Sequence, residues 1–347
     1  MRPLEPVDSA DITVVIQGPL YRDLEPDRNI FTCIASIKRH LPRAEIIVST
    51  WRHEDVSGVE ADQLIVLDDP GCFVDESGNQ INTNRMLHST LLGIRSAIRP
   101  YVMKLRADHN LVSAELAVIG EPDQTASGAP VLFDRPITLT TLYIRNPERV
   151  PMLFHISDLV QFGTREAMLA LWDQPLLKRE DVLNKRPFRN PFGNFCGFSS
   201  AKRVAEQSLM LGAMCKHGID VRLAHPCQVR MGNLKLWDAI LRINFRVLDY
   251  REAGVSFPER FLAVDGALTS LYTAFEVEQL HTVGDRGYRR KIARVWFNQF
   301  LLSCLKPAWW VSLISMILFN SSPTFAKATR SLWRRLRKVT HPNSYRT

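Results

Sequence analysis

The chain has 347 residues, 46% of them hydrophobic, with 44 basic against 36 acidic side chains and a formal net charge of +8. This composition excludes a globally disordered chain and supplies enough apolar material for one large α/β domain or two smaller ones. The six cysteines, Cys33, Cys72, Cys196, Cys215, Cys227 and Cys304, form no Cys-x-x-Cys pair. That argues against a zinc ribbon or a thioredoxin-type site and reads as reduced thiols in a cytosolic protein.

Residues 1–12 carry Asp8 and Asp11 and no apolar centre, so they do not read as a secretory signal. Residues 13–16 (TVVI) predict a short buried strand, ended by Gln17, Gly18 and Pro19. Ile30, Ile34, Ile37 and Leu41 recur at helical spacing, which predicts a helix over 29–41 stopped by Pro42. Strands follow at 45–48 and 64–67, then a turn at Asp69, Pro70 and Gly71, a helix over 84–98 closed by Pro100, and a strand over 101–105. Strands and helices alternating at these intervals imply βαβ units and a largely parallel sheet with helices on both faces. Residues 156–226 mix short apolar runs with prolines and read as a second half rich in long loops. Within it 207–215 has helical periodicity and 221–224 looks like a strand. The stretch 293–319 is aromatic-rich with helical spacing, and Arg330, Arg334, Arg335, Arg337 and Lys338 follow it.

In parallel sheets the ligand crevice lies beyond the C-terminal strand ends. The residues placed there are Gln17, Gly18 and Pro19; Ser49, Thr50 and Trp51; Asp68 to Gly71; and Arg106, Ala107 and Asp108. No Gly-x-Gly-x-x-Gly or P-loop pattern occurs, which argues against a dinucleotide oxidoreductase or a P-loop enzyme. Asp108 at the crevice mouth suits a divalent cation held against a diphosphate, or else a strand-end salt bridge. Lys104 or Arg106 would then pair with phosphate or lock Asp108 in place. Asp69 suits a ribose or base contact, or a type I turn. Asn82, Asn84 and Arg85 open a helix, where one Asn would be the N-cap and Arg85 would favour an anion such as a pyrophosphate. Asp158 reads as a possible cap and Glu206 as a first-turn helix acid. His225 reads as structural.

The ordered set carries a resemblance: Ile16 to Pro19; Ser36 to Lys38 with Pro42; Ile46 to Trp51; Asp69 to Gly71; Asn84 and Arg85 with Ser89, Thr90 and Gly93; Lys104 to Asp108; His155 to Asp158 with Phe162 and Gly163; and Glu206 with Gln207. It resembles the WavE family of lipopolysaccharide core-synthesis proteins, over residues 12–225. The resemblance implies an A-type glycosyltransferase-like fold, with a central mostly parallel sheet flanked by helices and a C-terminal helical extension. It divides the chain into a nucleotide-sugar half at 12–112 and an acceptor half at 113–232, within a domain at 1–232. A helical, basic region at 233–347 follows. It implies transfer of a sugar from a nucleotide-sugar donor to a lipid-linked saccharide in lipopolysaccharide or other surface polysaccharide synthesis.

The donor contacts implied are Gln17, Gly18, Pro19, Thr50, Asp69, Asn84, Arg85, Lys104, Arg106 and Asp108. Asp108 would ligate Mg²⁺ or Mn²⁺, although Arg106 stands where such enzymes usually carry the first acid of an Asp-x-Asp motif. Glu206 is the first candidate for the general base and Asp158 the second. The alternative, which the missing acid favours, is a non-catalytic membrane-associated binding or assembly protein that keeps the fold.

The segment 309–319 is shorter than the roughly 20 apolar residues of a membrane span. Its apolar face includes Trp309, Trp310, Leu313, Ile314, Ile317 and Leu318. With the basic residues around Trp333, it fits a helix lying on an anionic membrane surface. The expected location is therefore cytoplasmic, peripheral at the inner face of the cytoplasmic membrane. No base-reading module is visible, so nucleic acid is not an expected partner.

Overall fold

Along the axis of the computed structural model runs a strand, β1 (Ile12–Gln17), buried at all six positions. A strand covered on both faces has to be apolar almost throughout, which is why this segment reads ITVVIQ. The structure describes residues 4–22, 26–75, 80–121, 130–189, 198–263, 268–305, 307–322, 324–325, 328–329 and 331–332. After β1 come α1 (Ile30–His40), β2 (Glu45–Trp51), β3 (Gln63–Leu67), α2 (Thr83–Ser96) and β4 (Tyr101–Arg106). The second half supplies β5 (Ile137–Thr140), β6 (Gln161–Thr164), α3 (Arg165–Trp172), α4 (Ala205–Lys216), α5 (Met231–Asn244), β7 (Phe245–Leu248), α6 (Asp285–Phe297) and α7 (Pro307–Ser321). Asn29 caps α1, its side-chain oxygen accepting from the N–H groups of Phe31 at 3.0 Å and Thr32 at 3.2 Å.

The seven strands form one sheet in the order β7-β5-β6-β4-β1-β2-β3. β1 pairs in parallel with β2 and β4, β2 with β3, and β5 with β7. β6 runs antiparallel between β4 and β5. This is the mostly parallel, helix-flanked α/β arrangement expected of an A-type glycosyltransferase-like fold.

The two-residue period of the strands divides their side chains between two cores. Val15, Ile47 and Val102 join the core built with α2, α3, α4 and α5. Val14, Ile16, Ile46, Val48, Met103 and Leu105 join the other, which α1 closes through Ile30, Cys33, Ile34 and Ile37. Both faces are covered, so the open ground for a ligand is the rim at the strands' C-terminal ends.

Three regions differ from the sequence reading. Residues 221–224 form no strand; Leu223 packs into the first core from an irregular segment, so its apolar character serves burial rather than pairing. In the region 156–226 the structure adds β6 and α3 to the helix read at 207–215, which is α4. The segment after residue 232 begins as part of the sheet domain: β7 lies parallel to β5, with Ile137 opposite Phe245. Beyond it α6 and α7 form the helical extension. Trp333, Arg330, Arg334, Arg335, Arg337 and Lys338 lie outside the described residues, as does Cys196. Among the described residues no disulfide joins Cys33, Cys72, Cys215, Cys227 or Cys304. Among the described residues no helix is long and apolar enough to cross a membrane.

Gly93 sets how closely α2 approaches the sheet. A Cβ at this position would lie 2.3 Å from Cγ1 of Val15. Gly93→Ala gains about 1 kcal/mol of helix propensity but overpacks a buried contact at a cost of about 1–3 kcal/mol. We expect a lower melting temperature for Gly93→Ala and a larger drop for Gly93→Val. A rise in both would show that α2 has room to move away from β1.

Candidate active site

The turn after β1 is built by polar groups of neighbouring elements. Gly18 has φ +91°, a conformation that glycine adopts without strain. Its N–H donates to Ser49 O at 3.0 Å, and its carbonyl accepts from Thr50 Oγ1 at 2.9 Å. Ser89 Oγ donates to Gln17 Oε1 at 2.9 Å. Nothing lies within 4 Å of the position a Gly18 Cβ would take, so this turn faces open space. Gln17 and Thr50 therefore build the floor of the crevice, and Gly18 with Pro19 forms its lip.

The expected contacts near β3 are satisfied within the protein. Arg85 grips Asp69, with Nε donating to Oδ1 at 2.8 Å. That hydrogen bond, opposing a smaller burial effect, holds the Asp69 carboxyl below its ordinary pKa. Asp69 also accepts from the Gly71 N–H at 2.8 Å, the turn its sequence suggested. Asn82 occupies the N-cap position of α2 without capping it, because its Oδ1 accepts instead from Arg85 Nη1 at 3.2 Å. Asn84 exchanges two bonds with the backbone of Leu177, at 3.0 and 2.9 Å.

The end of β4 is different. Asp108 is 1% exposed, yet three cationic or donor groups converge on it. Arg106 donates from Nε to Oδ1 at 3.0 Å and from Nη2 to Oδ2 at 3.2 Å. Arg260, from the one-turn helix Glu259–Leu262, pairs with Oδ2, and His109 Nδ1 lies 2.7 Å from Oδ1. Burial alone would raise the Asp108 pKa; His109 and Arg106 outweigh it and keep the carboxyl ionised, well below the usual range. Burial also lowers the His109 pKa, so this ring holds Asp108 as a neutral N–H donor and the two arginines carry the positive charge. Both guanidiniums lie against the same two rings. Arg106 Cζ is 5.7 Å from the Tyr21 centroid and 5.4 Å from that of Phe261, and Arg260 Cζ is 5.2 and 5.0 Å from them. Arg106 Nη2 also donates to the Tyr21 hydroxyl at 2.6 Å.

A hard divalent cation needs several oxygen ligands. Both Asp108 oxygens are taken by guanidinium groups, and among the described residues no three His, Cys, Asp or Glu side chains gather. The described residues at this strand end do not fit such a cation.

A second cluster lies under β5 and β6. Lys104 is fully buried, donates to the Asp158 carbonyl and sits 5.4 Å from the Trp172 ring centroid. Burial pushes its pKa down to about 8. Glu206, in the first turn of α4, is pushed up to about 7, mainly by burial and then by the negative charge of Asp158. Arg145 and Lys104 oppose that rise, and the 25% of its side-chain surface still open to water limits it. His155 Nε2 is 3.8 Å from Glu206 Oε2, and burial lowers the His155 pKa to about 4. Gln207 anchors the helix start, donating to Leu153 O at 2.8 Å and Pro226 O at 2.9 Å.

Tyr143 joins the two clusters. It packs edge-on to Phe261 at 5.9 Å, lies under Arg145 at 5.2 Å, and is electrostatically coupled to Glu206, Asp158 and Arg106. The fold thus gathers Arg106, Asp108, Asp158 and Glu206 within electrostatic reach of the buried Lys104, and Asp69, Asn84 and Arg85 bond to their own neighbours. Sequence reasoning missed Tyr21, His109, Tyr143, Arg145, His155 and Arg260 as members of the site. His109 and His155 adjoin or open recognised motifs and could have been found; Arg260 has no such signal, being 152 residues from Asp108.

The family model for WavE lipopolysaccharide synthesis matches residues 12–338. No curated protein matches the chain. Among solved structures, it is similar to the catalytic domain of Drosophila β1,4-galactosyltransferase 7 in complex with xylobiose, at 9% identity and TM-score 0.27, covering 63% of this chain and 66% of that one. It therefore spans just under two thirds of that relative. It is also similar to a mannosyltransferase from Pyrobaculum calidifontis in complex with GDP-Man and Mn²⁺, at 11% identity and TM-score 0.32, covering 93% and 91%. A third is TarS from S. aureus, at 9% identity and TM-score 0.27, covering 97% and 93%.

Asn84→Ala removes both bonds to Leu177. We expect a loss of about 1–3 kcal/mol of stability and faster proteolytic cleavage within residues 173–178. Wild-type stability and cleavage would show that Asn84 does not pin this segment.

Proposed function

The chain belongs to the WavE lipopolysaccharide synthesis family, and from that premise we propose that it is a glycosyltransferase. It moves a sugar from a nucleotide-sugar donor to a lipid-linked saccharide during lipopolysaccharide or related surface-polysaccharide assembly. The observation that carries the reading is that a strand end bearing Arg106 on Asp108 and a carboxylate, Glu206, whose pKa is pushed up to about 7 lie within electrostatic reach of the same buried Lys104. Such a pair supplies both halves of the reaction. Positive charge stabilises a departing nucleoside diphosphate, and a carboxylate poised near neutral pH accepts a proton.

In an inverting transfer the acceptor hydroxyl attacks the anomeric carbon while the carbon–oxygen bond to the diphosphate breaks. Glu206 takes the hydroxyl proton in this reading. Asp158 is the second acid, and its charge raises the proton affinity of Glu206. Lys104 holds the Asp158 backbone from below. Arg145 lies over the Tyr143 ring and within electrostatic reach of Glu206.

Membrane association belongs to the same proposal. On α7, Trp310, Val311, Ile314, Ile317 and Leu318 are all exposed and recur at helical spacing. Trp296, Phe297, Leu301, Leu302 and Leu305 are exposed on the preceding turns. In α6, Arg286, Arg289, Arg290 and Arg294 are exposed, three of them lining a hollow of about 410 Å³. Apolar and cationic surface in one stretch of chain suits an anionic bilayer, where each basic residue contributes about 1 kcal/mol. It would keep the enzyme at the inner face of the cytoplasmic membrane, beside a lipid-linked acceptor.

Screening UDP-, GDP-, CMP- and dTDP-sugars for donor turnover tests the activity; turnover of none of them by the full-length protein would contradict it. With a competent donor, kcat/KM should rise with pH through about 7, because the base works deprotonated. Glu206→Gln should lower turnover by about 100-fold or more. Asp158→Asn should move the ascending limb to lower pH, since it removes the negative neighbour. Wild-type turnover in Glu206→Gln would remove this residue from the base role.

Full-length protein should float with anionic vesicles, less so at high salt. Trp310→Glu combined with Ile314→Glu, both on exposed positions, should abolish flotation. Equal flotation of the double variant would contradict a role for α7.

A further inference from the structure

From Arg286 to the C-terminus the sequence carries thirteen Lys or Arg and no Asp or Glu. Part of that charge is gathered at one place. Arg286, Arg290, Lys291 and Arg294 of α6 line a hollow of about 410 Å³, against Glu148. We propose that this hollow seats a lipid-borne diphosphate, and so holds the lipid end of the acceptor while Glu206 works on its sugar end. This rests on the transferase reading above and deepens it.

Two observations converge. The first is charge. Two of the four cations are answered from within the protein. Lys291 Nζ bonds to the buried Asp238 at 2.8 Å, and Arg294 Nη1 lies 3.1 Å from Glu148 Oε2. The acid in the first turn of α6, Asp285, is taken by Lys235 at 2.6 Å. Arg286 and Arg290 have neither a hydrogen bond nor an ion pair among the described residues. They stand four residues apart on one face of α6, and Arg294 continues the row. Like charges at this spacing work against the helix. An anion in the hollow removes that repulsion. A diphosphate brings charge enough for both guanidiniums, with oxygens suited to bidentate contact.

The second is position. Glu148, on the wall of the hollow, is three residues along the chain from Arg145, so their Cα atoms lie at most about 11 Å apart. Arg145 is within electrostatic reach of Glu206. Further along α6, Trp296 and Phe297 are exposed, and so are Leu301, Leu302 and Leu305 beyond it. The hollow therefore adjoins a segment that leads to the candidate base and a helix that leads to apolar surface. A phosphate group joining a saccharide to a lipid chain needs both neighbours. Gly284 also lines the hollow. Its backbone is extended, and nothing lies within 4 Å of the position its Cβ would take, so a side chain can be introduced there without displacing the fold.

The test is binding of full-length protein to phosphatidylcholine vesicles containing geranylgeranyl diphosphate, against vesicles brought to the same surface charge with phosphatidylglycerol. We expect tighter binding to the diphosphate vesicles by about 10-fold or more. Arg286→Gln and Arg290→Gln should each lose most of that preference. Arg289→Gln removes the same charge from α6 at an exposed residue that does not line the hollow, and should keep it. Gly284→Glu puts a carboxylate at the hollow and should lose the preference with no fall in melting temperature. Inorganic diphosphate in solution should compete poorly, because it brings no chain for the apolar surface. Equal binding to the two kinds of vesicle would reduce the hollow to general basic surface and overturn the inference. An equal loss of preference in Arg289→Gln and Arg290→Gln would do the same. Displacement by inorganic diphosphate at the concentration of the lipid would overturn it too, by showing that the lipid chain adds nothing. Each of these contrary results leaves the transferase reading standing, since donor turnover tests that separately.

Discussion

A carboxylate that is 1% exposed stays ionised only if its neighbours repay the loss of water, and Asp108 is repaid by Arg106, Arg260 and His109. One partner is two residues away and another is 152 residues away. The ion cluster therefore ties the C-terminal end of β4 to a segment contributed after β7. It also sets the geometry of everything around it. Tyr21 reaches Arg106 from the β1 turn, and Phe261 reaches both arginines and Tyr143. Losing one arginine would leave a buried charge short of a partner, so this cluster shapes the crevice as well as its charge.

The backbone around the crevice is held in unusual states. Among the described residues, positive φ outside glycine occurs at Tyr21, Tyr143 and Phe154. Each such residue costs about 1–3 kcal/mol and persists only where its surroundings over-determine it. Tyr21 is held by its hydroxyl on Arg106, Tyr143 by Phe261 and Arg145, and Phe154 by Trp237 at 5.6 Å. Two of the three flank the arginine cluster, and the third immediately precedes His155, the neighbour of Glu206. Such placement fits a site organised before its ligand binds, in which the cationic end and the acid pair need not move far to act together.

Much of the first half was legible because the physics there is local. β1 to β4 are apolar runs cut off by Gly, Pro or charged residues, and their helices carry plain periodicity. The motif set from Gln17 to Glu206 led to the WavE family, which the family match over residues 12–338 bears out. β5 and β6 were not legible. They read ITLT and QFGT, and their buried Thr138, Thr140 and Gln161 look like loop residues until their partners are known. Gln161, for example, accepts from Trp172 Nε1 at 2.8 Å and donates to Ser157 O at 2.8 Å. β7 was hidden inside a stretch read as helical. Of the residues expected around the ligand, Asp69, Asn84 and Arg85 instead satisfy one another or nearby backbone, a choice that depends on loop geometry. Arg260 was invisible for a different reason: nothing in its local sequence distinguishes it, and only the folded chain brings it to Asp108.

In the proposed transfer, the departing nucleoside diphosphate lies at the C-terminal end of the sheet, beside Arg106. Hydrogen–deuterium exchange of the full-length protein in EDTA, with and without the tightest-binding of UDP, GDP, CDP and dTDP, locates it most directly. Added protection should appear together in peptides covering residues 17–22, 105–110 and 257–263, which are distant in sequence and adjoin Asp108 in the fold. Protection confined to other segments, such as α6 or the Asp69 and Arg85 pair, would contradict it.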